Sequence, residues 1–229
     1  MEPTIKSTLR ELTPPVVWKF LARAKARAKA RPQTVEEPGA ERQSDYYDAM
    51  YSVTERYHCH YADSPYFSLW CVLVDHVKPA DARCVLDIGC GPGQLAAFLR
   101  DRGLRDYVGI DFSGESIRYA RSNCPAFKFV CADVFTSDLF TTVDYDVVIS
   151  TEFLEHVEKD LEVLDRIRPG TRFFGSVPNF PNPAHVRHFN SAEDVCARYA
   201  SRFTNFKVDN VLFGSGGMQF FLLEGVRAG

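Results

Sequence analysis

The chain has 229 residues, of which 45% are hydrophobic and 25% charged, and its net charge is −3. That composition supports a buried core of catalytic-domain size plus an appendage, and excludes disordered, collagen-like and fibrous chains. No window approaches the roughly 18 apolar residues of a membrane-spanning helix, and the slightly acidic total does not describe a polycation built for nucleic acid.

The seven cysteines are odd in number and none pairs in C-x-x-C spacing, which argues against a disulfide framework or a cysteine-only zinc site. With no signal-peptide pattern at the start, a reduced, cytoplasmic protein is expected.

Charge is unevenly spread. Residues 1–35 hold eight Lys/Arg and two Glu, a local +6, so the remainder carries −9. The basic part runs from Lys19 to Arg31, with alanines and basic residues alternating from Ala22, a composition that favours helix, between the Pro14-Pro15 start and the Pro32 stop. Basic residues at every second position advance by about 200° per step, so positive charge surrounds the helix. Val16 to Leu21 give it an apolar tip. Residues 15–31 are therefore expected either to touch an anionic membrane surface, placing the protein peripherally at the inner membrane face, or to stand solvated. Residues 1–43 form this extension and a polar linker broken by Pro38-Gly39.

Residues 44–80 form an expected helical cap. It is rich in aromatics (Tyr46, Tyr47, Tyr51, Tyr57, Tyr61, Tyr66, Phe67, Trp70), with apolar residues at helical spacing and a break at Ser64-Pro65. The rings either fill the core where the helices dock or present faces to a ligand. Tyr47, Tyr51 and Tyr61 are the candidate substrate contacts.

Residues 81–229 alternate strand and helix. Strands are expected at 84–89, 107–111, 127–131, 145–150 and 172–177. Helices are expected at about 94–102, from a Ser113 cap to Asn123, from the fourth strand to about Ile167, and from a Ser191 cap to about Arg202. Two final strands, about 206–213 and 217–224, flank the Gly214-Ser-Gly-Gly217 turn. This pattern predicts an α/β fold: a Rossmann-like, seven-stranded, mostly parallel sheet with an antiparallel hairpin at one edge. Ligands in such sheets bind at the carboxyl ends of the strands.

The first strand ends in Val85-Leu-Asp-Ile-Gly-Cys-Gly-Pro-Gly93. Its glycines allow tight turning and close approach of a ligand. The dinucleotide fingerprint would need glycine at 94, where Gln94 stands, which weakens a nicotinamide reading. Asp111 ends the second strand, where a carboxylate can accept from both ribose hydroxyls. Asp133 follows the third, within reach of an adenine amino group. Asp87, Asp111 and Asp133 together suit a ligand with a cationic end, a ribose and a purine.

Val85–Gly93, Gly109-Ile-Asp111, Ala132-Asp133 and Asp146–Val157 resemble the class I S-adenosylmethionine-dependent methyltransferases over about residues 82–224. The resemblance implies that Gly89, Gly91 and Gly93 line the methionine part, Asp111 the ribose and Asp133 the adenine. It also implies cofactor contacts from Asp87, Cys90, Phe112, Val134 and Thr151.

The fourth strand runs into Ser150-Thr-Glu-Phe-Leu-Glu-His-Val157. On a helical first turn Glu152, Glu155 and His156, at i, i+3 and i+4, would share one side. The loop after the fifth strand adds His185 and His188; His188 is a further candidate substrate contact. This E-x-x-E-H pattern with a distant histidine resembles small-RNA 3′-terminal 2′-O-methyltransferases, which hold a metal with such residues, and ubiquinone-pathway O-methyltransferases. By position before Phe189, His185 fits the metal-binding histidine. Three roles stay open: a divalent metal ion held by Glu152, Glu155, His156 and His185; a metal-free base, His156, oriented by Glu155; or acidic residues complementing a helix N-terminus.

O-methylation of a small molecule or glycan precursor is expected. Arg187, Arg198 and Arg202 make a thin track for phosphates, which argues against nucleic acid and leaves metal-dependent RNA 2′-O-methylation as the alternative. A non-catalytic S-adenosylmethionine-binding sensor or scaffold is a second alternative, against which the intact glycine loop stands.

Overall fold

The protein's structure, a computed structural model, describes residues 39–214 and 217–229. The expected basic helix at 15–31, with its membrane contact, lies outside the described residues. Among those described, no helix is long and apolar enough to cross a membrane.

The cap comprises α1 (Ser44–Val53) and α2 (Phe67–Val77), joined through 3₁₀ turns at Glu55–Tyr57 and Tyr61–Asp63. The Ser64-Pro65 break falls just before α2. Leu69, Trp70, Leu73, Val74 and Val77 recur at helical spacing and are buried against the body.

The body then alternates: β1 (Val85–Ile88), α3 (Gln94–Asp101), β2 (Tyr107–Asp111), α4 (Gly114–Asn123), β3 (Lys128–Cys131), α5 (Leu139–Thr142), β4 (Val147–Thr151), α6 (Asp160–Asp165), β5 (Arg172–Pro178), α7 (Ala192–Tyr199), β6 (Phe203–Leu212) and β7 (Gln219–Arg227). The expected caps form: Ser113 Oγ accepts from the Ser116 N–H (3.0 Å) and Ser191 Oγ from that of Asp194 (3.2 Å).

The sheet order is β3-β2-β1-β4-β5-β7-β6. Strands β1 to β5 pair in parallel and β7 runs antiparallel to both β5 and β6. Every residue of β1 and β2 is buried, as strands covered on both faces require. One core lies beneath α2, α3 and α4 and includes Leu73, Leu99 and Ile117. The other lies beneath α6 and α7 and includes Leu164 and Val195. Strand order reverses between β1 and β4, so a crevice opens at their carboxyl ends.

One expectation fails. No continuous helix follows β4. Glu152 adopts left-handed backbone (φ 52), a single 3₁₀ turn spans Leu154–His156, and α6 starts only at Asp160. The cause is non-local. The Glu152 N–H pairs with the Ser176 carbonyl (3.2 Å), and the Glu155 carbonyl accepts from Val186 (2.8 Å) and Arg187 (3.4 Å). Those bonds replace the helical ones. Asp160, which opens α6, is buried against Arg198 (2.6 and 2.7 Å), Tyr199 (2.7 Å) and Arg187 (3.3 Å).

Gly93 (φ 77) sits where α3 meets α4, and a Cβ there would lie 2.9 Å from Ala120 Cα. Gly93→Ala is expected to lower stability by about 1–3 kcal/mol, from left-handed strain and the backbone clash. Urea unfolding checks this; an unchanged midpoint would mean the α3–α4 contact gives way freely.

Candidate active site

A cavity of about 540 Å³ occupies the crevice, walled by the carboxyl ends of β1, β2 and β4 and roofed by the cap. Its floor is the glycine loop. Gly89 and Gly91 hold positive φ (72 and 55), and a Cβ on Gly91 would meet only the Tyr51 hydroxyl, at 3.5 Å. Bare backbone therefore faces the cavity. The Gly91 N–H donates to Asp111 Oδ2 (3.1 Å) and the Ser113 N–H to Asp111 Oδ1 (2.9 Å), which fixes the carboxylate and leaves lone pairs for further donors. Burial pushes the Asp111 carboxyl up to about 6, against the pull of those N–H groups.

Asp87 accepts from the Tyr107 hydroxyl (2.6 Å) through Oδ2, while its buried Oδ1 has no partner. Burial raises this carboxyl to about 7. Asp133 is exposed and accepts from the Phe135 N–H (2.8 Å). Cys90, Phe112, Val134 and Thr151 also line the cavity. Gly93 does not: it is packed on Ala120 and serves the helix junction instead of the ligand floor. A cradle of bare glycine backbone, an unpartnered Asp87 oxygen and a fixed Asp111 fit S-adenosylmethionine.

The second constellation closes the β4 side. His156 Nδ1 lies 2.9 Å from the Ala184 carbonyl and 3.0 Å from the Tyr47 hydroxyl. A carbonyl only accepts, so Nδ1 carries the proton and Nε2 presents a lone pair. His185 repeats the arrangement, with Nδ1 3.3 Å from the Phe180 carbonyl. Burial lowers His156 to about 4 and, with His156 alongside, His185 to about 3. Both imidazoles are neutral at physiological pH.

Glu155 is fully buried and neither of its oxygens has a hydrogen-bond partner. Its Oε1 lies 3.8 Å from His156 Nε2. Ligating atoms of Glu155, His156 and His185 all lie within 4.8 Å of one another. Burial and the neighbouring Glu152 raise Glu155 well above the carboxylate range, and burial raises Glu152 to about 8.

Several expectations need correction. Glu155 faces the Nε2 side of His156, so it does not orient the ring through Nδ1; the Ala184 carbonyl and Tyr47 do. Glu152 stands outside the three-residue cluster because its left-handed backbone directs the carboxylate to the Ser176 hydroxyl (2.9 Å). Tyr47 and Tyr51 line the cavity, but Tyr61 does not: it stacks on Phe98 (4.9 Å) and its hydroxyl donates to Asp101 (2.9 Å). His188 is exposed and outside the cavity lining. Arg187 and Arg198 are engaged internally instead of forming a phosphate track.

Sequence reasoning missed two cap residues. Asp48 Oδ1 accepts from the Ser113 hydroxyl (2.6 Å) and the Glu115 N–H (3.0 Å), clamping α1 onto the turn after Asp111. Arg56 lines the cavity beside the glycine loop. No local pattern marks Asp48; Arg56 was visible only as a cation within an aromatic run.

Strand order, glycine loop and carboxylates define a class I methyltransferase fold. Residues 85–171 match the protein-family profile described as a methyltransferase domain. It is 34% identical over 98 residues to an uncharacterized methyltransferase of Mycobacterium tuberculosis, covering 42% of this chain and 48% of that protein. It is 32% identical over 117 residues to a trans-aconitate 2-methyltransferase of an Azoarcus species, covering 49% and 46%. The matches thus span about half the length of these relatives. Among solved structures it is similar to the Burkholderia thailandensis 1,6-didemethyltoxoflavin-N1-methyltransferase with bound 1,6-didemethyltoxoflavin and S-adenosylhomocysteine. The TM-score is 0.60 at 21% identity, covering 85% of this chain and 94% of that one.

Ribose hydroxyls bond more strongly to an ionised carboxylate than to the neutral acid. Affinity for S-adenosylhomocysteine is therefore expected to fall as pH drops through about 6, the value to which burial brings Asp111. Asp111→Asn should weaken binding at pH 7.5 by roughly 1–3 kcal/mol and remove that part of the slope. Calorimetry between pH 5 and 8 checks both; a variant profile superimposing on the wild type would remove Asp111 from the ribose site.

Proposed function

We propose that the protein methylates an oxygen of a small-molecule acceptor held under the aromatic cap, with Nε2 of His156 taking the acceptor's proton. The observation that carries this reading is the neutral His156 ring, which lines the cavity and is pinned through Nδ1, so that Nε2 keeps its lone pair. S-adenosylmethionine supplies a methyl group already activated on a sulfonium. The chain has to hold the acceptor in line, exclude water and accept one proton. Tyr47, Tyr66, Phe180 and Phe213 wall the acceptor side, a surface suited to a planar ring or the apolar face of a sugar. A glycan precursor falls within this class; its delivery at an anionic membrane would depend on residues 15–31.

A second reading has its own observation. The unpartnered, buried Glu155 carboxylate with two imidazole lone pairs is a donor set that fits a divalent cation. Glu155, His156 and His185 would hold it, and it would supply Lewis-acid polarisation of the acceptor oxygen. RNA is the less favoured acceptor because Arg187 and Arg198 spend their donors on internal carbonyls and on Asp160. The complete glycine loop and pinned histidine favour catalysis over a scaffold role.

His156→Ala should lower turnover by roughly 10²–10⁴-fold with S-adenosylhomocysteine affinity nearly intact. Simultaneous loss of both would point to a folding role. Titration of Mg²⁺, Mn²⁺ and Zn²⁺ into metal-stripped protein saturated with S-adenosylhomocysteine separates the two readings. Binding near one equivalent, lost in Glu155→Ala, selects the metal; absence of binding leaves the imidazole as the base.

A further inference from the structure

We propose that the methyl acceptor carries a carboxylate and that Arg42, just ahead of α1, is the residue that receives it. This rests on the reading of the cavity beside His156 as the acceptor site.

Arg42 and His156 touch consecutive carbonyls of one loop. Arg42 Nη2 donates to the Pro183 carbonyl (3.2 Å) and His156 Nδ1 to that of Ala184 (2.9 Å). The pairing recurs on the cap. The Arg42 guanidinium lies 5.5 Å from the centroid of the Tyr46 ring, the Tyr46 and Tyr47 rings meet edge-on at 5.3 Å, and the Tyr47 hydroxyl is 3.0 Å from His156 Nδ1. Both Arg42 and His156 line the cavity. Successive Cα atoms stand about 3.8 Å apart, so one small molecule can meet both side chains.

The guanidinium is incompletely satisfied. Arg42 is half-buried, and its Nε is buried without a hydrogen-bond partner among the described residues. No described carboxylate lies within ion-pair distance of it, whereas Arg187 and Arg198 both face Asp160. Its acidic neighbours are turned to backbone: Glu41 accepts from the Glu158 N–H (2.8 Å) and Asp45 from the Tyr46 N–H (2.8 Å). Nor does the charge serve the helix, because a cation ahead of α1 stands at the positive end of its dipole. A buried donor left unpaired is unfavourable, and an oxyanion entering from the cavity would pair it.

Charge selects the kind of anion. Arg56, the other cation lining the cavity, is exposed and donates to the Tyr57 hydroxyl (2.9 Å). His156 and His185 are neutral. On the His156 side a single guanidinium therefore has one negative charge to balance. That matches a carboxylate better than a phosphate monoester, which carries about −1.5 to −2 at pH 7. The acceptor is thus a hydroxy acid, with its carboxylate on Arg42, its apolar body against the aromatic walls and its hydroxyl at His156.

The test uses benzoate and its neutral isostere benzamide, neither of which has a hydroxyl to methylate. Each is titrated into the full chain saturated with S-adenosylhomocysteine at fixed ionic strength, and affinity is read from the thermal stabilisation. Wild type should bind benzoate more tightly than benzamide by roughly tenfold to a hundredfold, the range of a charge-assisted hydrogen bond. Arg42→Gln, which can still donate to the Pro183 carbonyl, should lose that preference with S-adenosylhomocysteine affinity unchanged, which also shows that the variant is folded. Arg42→Lys should recover part of the preference, keeping charge without the planar fork. Wild type that does not distinguish the two probes, or Arg42→Gln that still does, would overturn the assignment. Weakened S-adenosylhomocysteine binding by Arg42→Gln would overturn it too, by giving the guanidinium to the cofactor. The turnover of His156→Ala is a separate measurement: its failure leaves a benzoate preference standing, and loss of that preference leaves the base in place.

Discussion

The reactive edge of this molecule depends on one guanidinium. Arg187 donates to the carbonyls of Leu154 (2.6 Å), Val157 (2.5 Å) and Glu158 (2.9 Å) and faces Asp160 at 3.3 Å. A chain that leaves a buried strand without entering a helix strands its carbonyls away from water, each at a cost comparable to a lost hydrogen bond. Arg187 satisfies three of them at once. It can do so because its own loop pairs with the turn, through the Val186 and Arg187 N–H groups and the Glu155 carbonyl. The same loop supplies His185 and the Ala184 carbonyl that fixes His156. Backbone satisfaction, tautomer choice and the convergence of Glu155, His156 and His185 are thus consequences of one docking event between two loops.

The cap completes the site from the other side. Residues 41–51 bridge both flanks of the crevice. Glu41 accepts from the Glu158 N–H (2.8 Å), Arg42 donates to the Pro183 carbonyl (3.2 Å), Tyr47 meets His156, and Asp48 clamps the turn after β2. Each of these bonds is individually modest. Together they fasten α1 across the cleft, so the groups that define the ribose site and the groups that define the reacting edge share one roof.

The sheet and the cofactor cradle were legible in the sequence because local rules govern them. Buried parallel strands read as short apolar runs, Ser113 and Ser191 cap as their side-chain chemistry dictates, and β1 has to turn on glycines. The acidic ends of β2 and β3 follow from the same register. What escaped was set by contacts distant in the chain. The i, i+3, i+4 spacing of Glu152, Glu155 and His156 describes a helix, yet Ser176 and the 180–187 loop won those backbone groups. The spacing still brought Glu155 and His156 together, so the cluster was partly right for the wrong local reason. Tyr61 and His188 are chemically suited to a ligand, and only packing shows that one lies on α3 and the other in solvent. Gly93 fits the motif by spacing, but its freedom is used for helix packing.

A sum over the reacting edge limits what that edge can do. His156 and His185 offer two lone pairs, Glu155 offers two unpartnered oxygens, and Glu152 sits close enough to raise its neighbour's proton affinity. The nearby donors are already spent: the Ser176 hydroxyl on Glu152, and Arg187 on carbonyls. A buried cluster of acceptors without donors is unfavourable unless something positive enters it. A proton held by the glutamates supplies this in part, which is why their carboxyls are raised. The proton from an acceptor hydroxyl, or a divalent cation, supplies it more fully. Both proposed mechanisms answer the same electrostatic deficit, and both place the positive species on the side of the crevice where an oxygen nucleophile would be made reactive.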